Sequence, residues 1–273
     1  MLHISSRDNI LYKQLTRLAQ GRRKRHASER EGPGGTVSET GLLEGIHLCQ
    51  EWLEHRGQPA RAIFNSQLLQ ESAELQDLVR QVDGQLAVSM DNALIQSISR
   101  IGAGQGVFFL VNHVGAALPE RIEHPCIWLD RIQDPGNVGT LLRTAAAAGI
   151  AHAYLSEECA GAWSPRVLRS AQGAHFMLTI YEQVDLMKAF ERLSIPLCAT
   201  AVDDRAISLY DGRIPTPCAW VFGNEGQGVD SRLLAVADRC VYIPQEPTVE
   251  SLNVAIAAGI CLFEQRRQQH GSA

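Results

Sequence analysis

Three short segments in the second half of this 273-residue chain combine amides, charges and glycines at spacings suited to ligand chemistry. The first is Asp134-Pro135-Gly136-Asn137-Val138-Gly139 followed by Arg143-Thr144-Ala145. The second is Phe222-Gly223-Asn224-Glu225-Gly226-Gln227-Gly228, and the third is Ile243-Pro244 followed by Glu250-Ser251-Leu252-Asn253-Val254-Ala255. Each begins where an apolar run ends, and in open α/β sheets ligands bind at the carboxyl ends of the strands. Glycine removes the Cβ, so the backbone there can approach a ligand closely or take positive φ. Plainer readings compete: Asn137 as a turn or capping residue, Ser251 or Asn253 as the cap of the last helix, and the glycine segment as an ordinary turn. Arg143 is harder to dismiss, because its neighbours Leu141, Leu142, Ala145 and Ala146 are apolar or small, and a charge in such company usually has a partner. The chain lacks both G-x-G-x-x-G and the G-K-[ST] of a phosphate loop, so neither an NAD site nor an ATP site is supported.

The elements that must hold these residues form an α/β pattern. A strand over Cys126–Leu129 turns through Asp134-Pro135-Gly136-Asn137 into a helix from Val138 to Ala148, closed by Gly149. Further strands are expected near Ala153–Leu155, Met177–Ile180, Pro196–Ala201, Ala219–Phe222 and Cys240–Ile243. Helices are expected at Pro165–Ala171, Leu186–Leu193 and Ser231–Ala237, with a long one from Val254 to Arg267. This alternation predicts a largely parallel sheet. Upstream, apolar spacing gives an amphipathic helix over Arg7–Leu18, and a helix runs through Trp52 and Leu53. Short apolar runs at Ala60–Phe64, Gln85–Val88 and Val107–Val111 alternate with helical stretches at Ser66–Gln70 and Leu75–Val82. The boundaries expected are a first domain over 1–114, a linker over 115–123 and a second domain over 124–273.

Composition narrows the classes. A hydrophobic content of 45% supports a real core, and the longest apolar or small stretch, Val254 to Phe263, is too short to span a bilayer. A cytoplasmic protein with no membrane partner is expected. The 7 cysteines lie far apart with no C-x-x-C pair, and His47, His113, His152 and His175 lack partners at metal-ligand spacing, so reduced thiols and no metal site are expected. The net charge is −5, yet residues 1–30 hold eight basic residues against two acidic ones, a local +6 that leaves −11 for the remainder. Such a run is either a solvated helix face or a contact for RNA phosphates.

The order and spacing of the three segments resemble the SpoU (TrmH-like) branch of the SPOUT superfamily, the S-adenosylmethionine-dependent RNA ribose 2′-O-methyltransferases. The resemblance implies a C-terminal trefoil-knotted domain and a homodimer formed through it, with each site built from both chains. The preceding small α/β domain resembles an RNA-binding domain related to ribosomal proteins, through Ser6-Arg7-Asp8-Asn9 and Leu43-Glu44-Gly45-Ile46-His47. Carried over residue by residue, it implies Arg143, Asn137, Glu225, Ser251 and Asn253 as catalytic. It implies Thr200, Ala201, Gly223, Asn224, Gly228, Ile243, Pro244 and Leu252 around S-adenosylmethionine, and Arg7, Lys13, Arg22, Arg23, Lys24, Arg25 and Arg169 on rRNA or tRNA. Because a guanidinium stays protonated in proteins, Arg143 is read as stabilising a developing alkoxide and not as a base. Gln245, Pro247 and Ala255 depart from the family pattern. They motivate the alternative of a non-catalytic RNA-binding or ribosome-assembly protein that keeps the fold. A base-methylating relative is the third reading.

Overall fold

The computed structural model describes residues 1–21, 38–99, 105–201, 205–246, 248 and 251–270. Contacts group the chain into two compact units, Met1–Gly115 with Trp163–Phe176, and Ala116–Ala162 with Met177–Ala273.

The first unit begins with β1 (Leu2–Ile4), α1 (Ile10–Ala19), β2 (Ser38–Glu44), α2 (Ile46–Arg56) and β3 (Arg61–Asn65). It continues with α3 (Leu68–Glu71), α4 (Ala73–Gln81), β4 (Ala87–Met90), α5 (Asn92–Ile98) and β5 (Val107–Val114). The sheet runs β1-β4-β3-β5-β2, parallel across β1, β4 and β3 and antiparallel from β3 through β5 to β2. Alternation along β5 sends Val107, Phe109 and Val111 to one face and Phe108 and Leu110 to the other. α2 and α4 cover the first face with Leu48, Trp52, Leu75 and Leu78; α1 and α5 cover the second with Leu15, Leu18, Leu94 and Ile98. Both faces are therefore buried, which is why the strands read as short apolar runs. β1, β2 and α5 were not expected from the sequence. β2 hides because Gly41 interrupts its apolar alternation: a Cβ there would lie 3.3 Å from Val111 Cγ2 on the paired strand.

The second unit carries β6 (Cys126–Asp130), α6 (Pro135–Ala147) and β7 (His152–Ser156). Then comes α7 (Pro165–Ala171), which with a 3-10 turn at Ala174–Phe176 falls in the first unit, where Leu168 and Phe176 join the core. The second unit resumes with β8 (Thr179–Val184), α8 (Leu186–Phe190), β9 (Leu197–Thr200), β10 (Ile207–Ser208) and β11 (Ala219–Gly223). It ends with α9 (Ser231–Val236), β12 (Arg239–Tyr242) and α10 (Val254–His270). All neighbours in the order β10-β12-β9-β11-β6-β7-β8 are parallel. The chain winds outward from β6 to β8 and then returns on the other side, so the sheet reverses at β6 and β11, where crevices for ligands arise.

α6 starts three residues before the expected Val138. Asp134 Oδ1 accepts from Asn137 N at 2.9 Å, and Pro135 occupies the first turn, where its missing N–H costs nothing. Asn137 is thus a first-turn helix residue, neither turn nor cap. Trp128 is fully buried, and the ring of Trp163 stacks on His113 at 4.0 Å, so both tryptophans are packing residues. The cysteines are free thiols, buried except for half-buried Cys159. Burial pushes Cys126 and Cys261 up to about 12. Among the described residues no helix is long and apolar enough to cross a membrane, and no group of three or more His, Cys, Asp or Glu is placed to hold a metal ion.

Candidate active site

Three residues from three distant segments meet at the carboxyl end of the parallel sheet. Asn253 Oδ1 accepts from Ala255 N at 2.9 Å and from Ile256 N at 3.3 Å, capping α10. With its oxygen so used, its Nδ2 donates to Asn137 Oδ1 at 2.9 Å, and Asn137 Nδ2 donates in turn to Glu225 Oε1 at 2.8 Å. An amide has one acceptor end and one donor end, so the cap fixes the direction of the whole chain. Asn253 therefore caps α10 and reaches Asn137 at once, and Ser251 is exposed and makes no hydrogen bond among the described residues.

The glycine loop that carries Glu225 is braced by its own first side chain and by Arg131. Asn224 Oδ1 accepts from Gly226 N at 2.9 Å and Gln227 N at 3.0 Å, while its Nδ2 donates to Arg131 O at 2.8 Å. The side chain of Asn224 is thus engaged both within the loop and with the residue that follows β6. Gly228 has φ +70°, and a Cβ on Gly223 would lie 2.1 Å from Val229 N and 2.2 Å from Gly228 C. Gly223 is required by the returning limb of its own loop, a reason different from ligand approach.

Thr200, Ala201, Gly223, Asn224, Ile243 and Pro244 stand at the ends of the adjacent strands β9, β11 and β12. Thr200 pairs with Val241, and Ala201 N donates to Val241 O at 3.0 Å. Half-buried Thr200, Ile243 and Leu252 present a hydroxyl and backbone N–H and C=O groups with no partner among the described residues outside strand pairing. Unpaired polar groups in partly buried positions are what a polar ligand edge needs.

Arg143 is not brought to this cluster. It is exposed, and its side chain makes no hydrogen bond or ion pair among the described residues, so the partner that its apolar neighbours suggested is not found there. Six residues after Asn137, it projects about 120° away around α6. It shares the outer face with Thr140 and Ala147, beside α10, whose Ile256 and Phe263 are 57% and 48% exposed.

Of the residues expected on RNA, Arg7 is exposed, and Lys13 Nζ pairs with Asp8 at 2.9 Å. Arg169 is half-buried on α7 in the first unit. Arg22, Arg23, Lys24, Arg25 and Pro247 lie outside the described residues.

Asp130, Arg131 and Gln227 escaped the sequence reading. Arg131 Nε and Nη2 each meet an Asp130 carboxylate oxygen at 3.0 Å, and Nη1 donates to Gln227 Oε1 at 2.8 Å. The hydrogen bonds to Asp130 raise the Arg131 pKa further. Asp130 is 4% exposed and also accepts from Asp230 N at 2.8 Å. A charged doublet directly after the apolar run Cys126–Leu129 was the available signal.

The sheet and this cluster define a class: a parallel α/β protein with a candidate site at the topological switch, built from amides, a carboxylate and a glycine loop. The model of the SpoU rRNA Methylase family matches residues 124–263. An uncharacterized tRNA/rRNA methyltransferase of Synechocystis sp. is 32% identical over 97% of this chain and 94% of its own. The 23S rRNA (guanosine(2553)-2′-O)-methyltransferase RlmP of Bacillus subtilis is 40% identical over 85% of this chain and 90% of its own. Among solved structures, the AdoMet-bound rRNA methyltransferase from Sinorhizobium meliloti superposes with a TM-score of 0.77 at 26% identity, covering 97% of both chains. The chain belongs to the SpoU rRNA Methylase family.

Proposed function

We propose that the protein transfers a methyl group from S-adenosylmethionine to a ribose 2′-OH of structured RNA, with rRNA favoured by its relatives' activities. The observation that carries this reading is the directed chain from Asn253 through Asn137 to Glu225, set beside the unpartnered edge of Thr200, Ile243 and Leu252. That edge fits the cofactor: backbone at Ile243 and Leu252 suits its adenine and methionine portions. When bound, S-adenosylmethionine supplies an electrophilic methyl group. The protein's own task is to hold the ribose oxygen in line and to offset the charge that grows on it. Asn137, Ser251 and Asn253 orient the ribose, Glu225 fixes the amide of Asn137, and Arg143 stabilises the developing alkoxide and a neighbouring phosphate.

Arg143 stands apart from Asn253 in its own chain, and this supports a site shared between two chains. The exposed pair Ile256 and Phe263, seven residues apart on one face of α10, gives a homodimer an apolar contact on the helix that packs against α6. The trefoil knot belongs to the same reading, as do a cytoplasmic location and a substrate-binding role for residues 1–114 through Arg7, Lys13, the 22–25 basic run and Arg169.

Calorimetric titration with S-adenosylmethionine, followed by nucleoside analysis of methylated cellular RNA, tests the activity. The expected results are micromolar binding and a 2′-O-methylated product; a folded dimer that binds no cofactor with or without RNA would overturn the reading. Co-refolding inactive Arg143→Ala with inactive Asn253→Ala tests the shared site, since only intersubunit sites recover activity in the mixture.

A further inference from the structure

We infer that Arg131 is the positioning residue that presets the glycine loop, and with it Glu225, for cofactor binding. This inference rests on the proposed methyl transfer. One residue holds the loop at three points. Its carbonyl accepts from Asn224 Nδ2 at 2.8 Å, its Nη1 donates to Gln227 Oε1 at 2.8 Å, and its Nη2 reaches Gly228 O at 3.3 Å. Glu225 lies between the first contact and the other two, so the limbs on either side of it are tied to the end of β6.

The clamp is itself held. Arg131 has φ +57°, a conformation that costs a non-glycine residue energy and persists only where surroundings enforce it. Ser156 Oγ accepts from its N–H at 2.8 Å, and Ile132 N follows with Cys159 Sγ at 3.3 Å. The turned backbone points the guanidinium back onto Asp130, whose two oxygens take Nε and Nη2 in a fork at 3.0 Å each. Buried Asp130 needs that partner, because an unpaired carboxylate at such a position is costly. Asp130 is also the strand-register partner of Gly223, where the loop begins. A planar fork that reaches onward to a second strand's loop is chemistry that Arg performs and Lys does not. A loop set before the ligand arrives spares the ordering cost at binding, so the clamp shows in affinity.

The test uses full-length protein, with S-adenosylmethionine affinity by calorimetry, affinity for bulk ribosomal RNA by filter retention, and Tm. Arg131→Gly accepts the backbone conformation and removes the fork; Arg131→Lys keeps the charge. Both are expected to weaken cofactor binding about tenfold while RNA affinity stays within about twofold. Gln227→Ala, at an exposed side chain, is expected to weaken it about threefold alone and to add nothing in the Arg131→Gly background, the mark of a shared contact. Cofactor affinity unchanged in Arg131→Gly, or full rescue by Lys, would overturn the inference. So would additive losses, or RNA and cofactor affinity falling in step. If Arg131→Gly fails to fold, Gln227→Ala decides, and wild-type affinity in that variant sinks the clamp. A wild-type protein that binds no cofactor would be a different failure, that of the function beneath it.

Discussion

Asn137→Asp isolates the directed hydrogen-bond chain. The substitution keeps shape and keeps an acceptor for Asn253 Nδ2, but it replaces the donor that lies 2.8 Å from Glu225 Oε1 with a carboxylate oxygen. Two unit charges about 4 Å apart repel by about 1 kcal/mol at the dielectric of water and about 4 kcal/mol at an effective value of 20. Asn137 is half-buried and Glu225 exposed, which selects the lower part of that range, about 1–2 kcal/mol. Position 137 also lies in the first turn of α6, where a carboxylate gains about 0.3–1 kcal/mol from the helix N-terminus, leaving a net cost of about 1 kcal/mol. Repulsion raises a folded-state carboxyl pKa above its unfolded value, so the native variant binds more protons than the unfolded chain. The penalty is therefore absent below the ordinary carboxylate range and reaches full size near neutrality. The expected Tm deficit is about 2–4 °C near pH 7.5, vanishing near pH 4. In a Glu225→Gln background the repulsion is gone and Asn137→Asp should cost nothing. An equal deficit in both backgrounds, or one independent of pH in differential scanning calorimetry, would refute the chain as drawn.

Further outcomes follow from the same geometry. Arg143→Ala should leave Tm within about 1 °C, because the side chain has no partner among the described residues, yet lower kcat/KM by about a hundredfold; Arg143→Lys should recover little, and full recovery would end a fork-like role. Gly223→Ala should cost about 3 kcal/mol or more in denaturant titration, since its Cβ meets Val229 N at 2.1 Å and backbone must move; a near-neutral result would mean that the loop rests elsewhere. Asn253→Ser keeps an α10 cap and removes the donor to Asn137, so stability should stay within about 0.5 kcal/mol while kcat falls. The rings of His124 and His152 stack at 3.5 Å, and burial lowers both pKa values, with the His124 charge adding to the shift at His152. Lowered folded values mean stability that is complete above about pH 6.5 and lost as pH falls through them. His152→Leu should flatten that part of the Tm profile, and an unchanged slope would assign it to other groups.

The second unit was legible because its strands are buried on both faces and separated by helices. α7 falls on Pro165–Ala171 as expected, and α10 extends only three residues beyond Arg267. β1 and β10, of three and two residues, carry too little sequence to register a period. That α7 groups with the first unit was invisible, because its apolar face says that it is buried without saying against what. At the site, residue types were legible and reasons were not. Arg143 was expected to have a partner and has none among the described residues of its own chain, while the Asp130-Arg131 doublet drew no reading at all. Its meaning depends on Gln227, 96 residues further on, which no local pattern can supply.

The arrangement also explains why the three motifs must occur together. The cap of α10 consumes the oxygen of Asn253 and thereby directs its nitrogen at Asn137; Asn137, its backbone N–H already held by Asp134, can pass only a donor to Glu225. Glu225 is in turn placed by a loop that Arg131 ties to β6 and that closes only because position 223 lacks a Cβ. Helix start, helix cap and glycine loop are thus successive constraints on one set of hydrogen-bond directions. The departure at Ala255 leaves that set intact: Ala255 takes part through its backbone N–H, which any residue other than proline provides. A chain that had kept the fold and dropped the chemistry would have no need to hold Glu225 from both sides, and this is why the retained network favours catalysis over RNA binding alone.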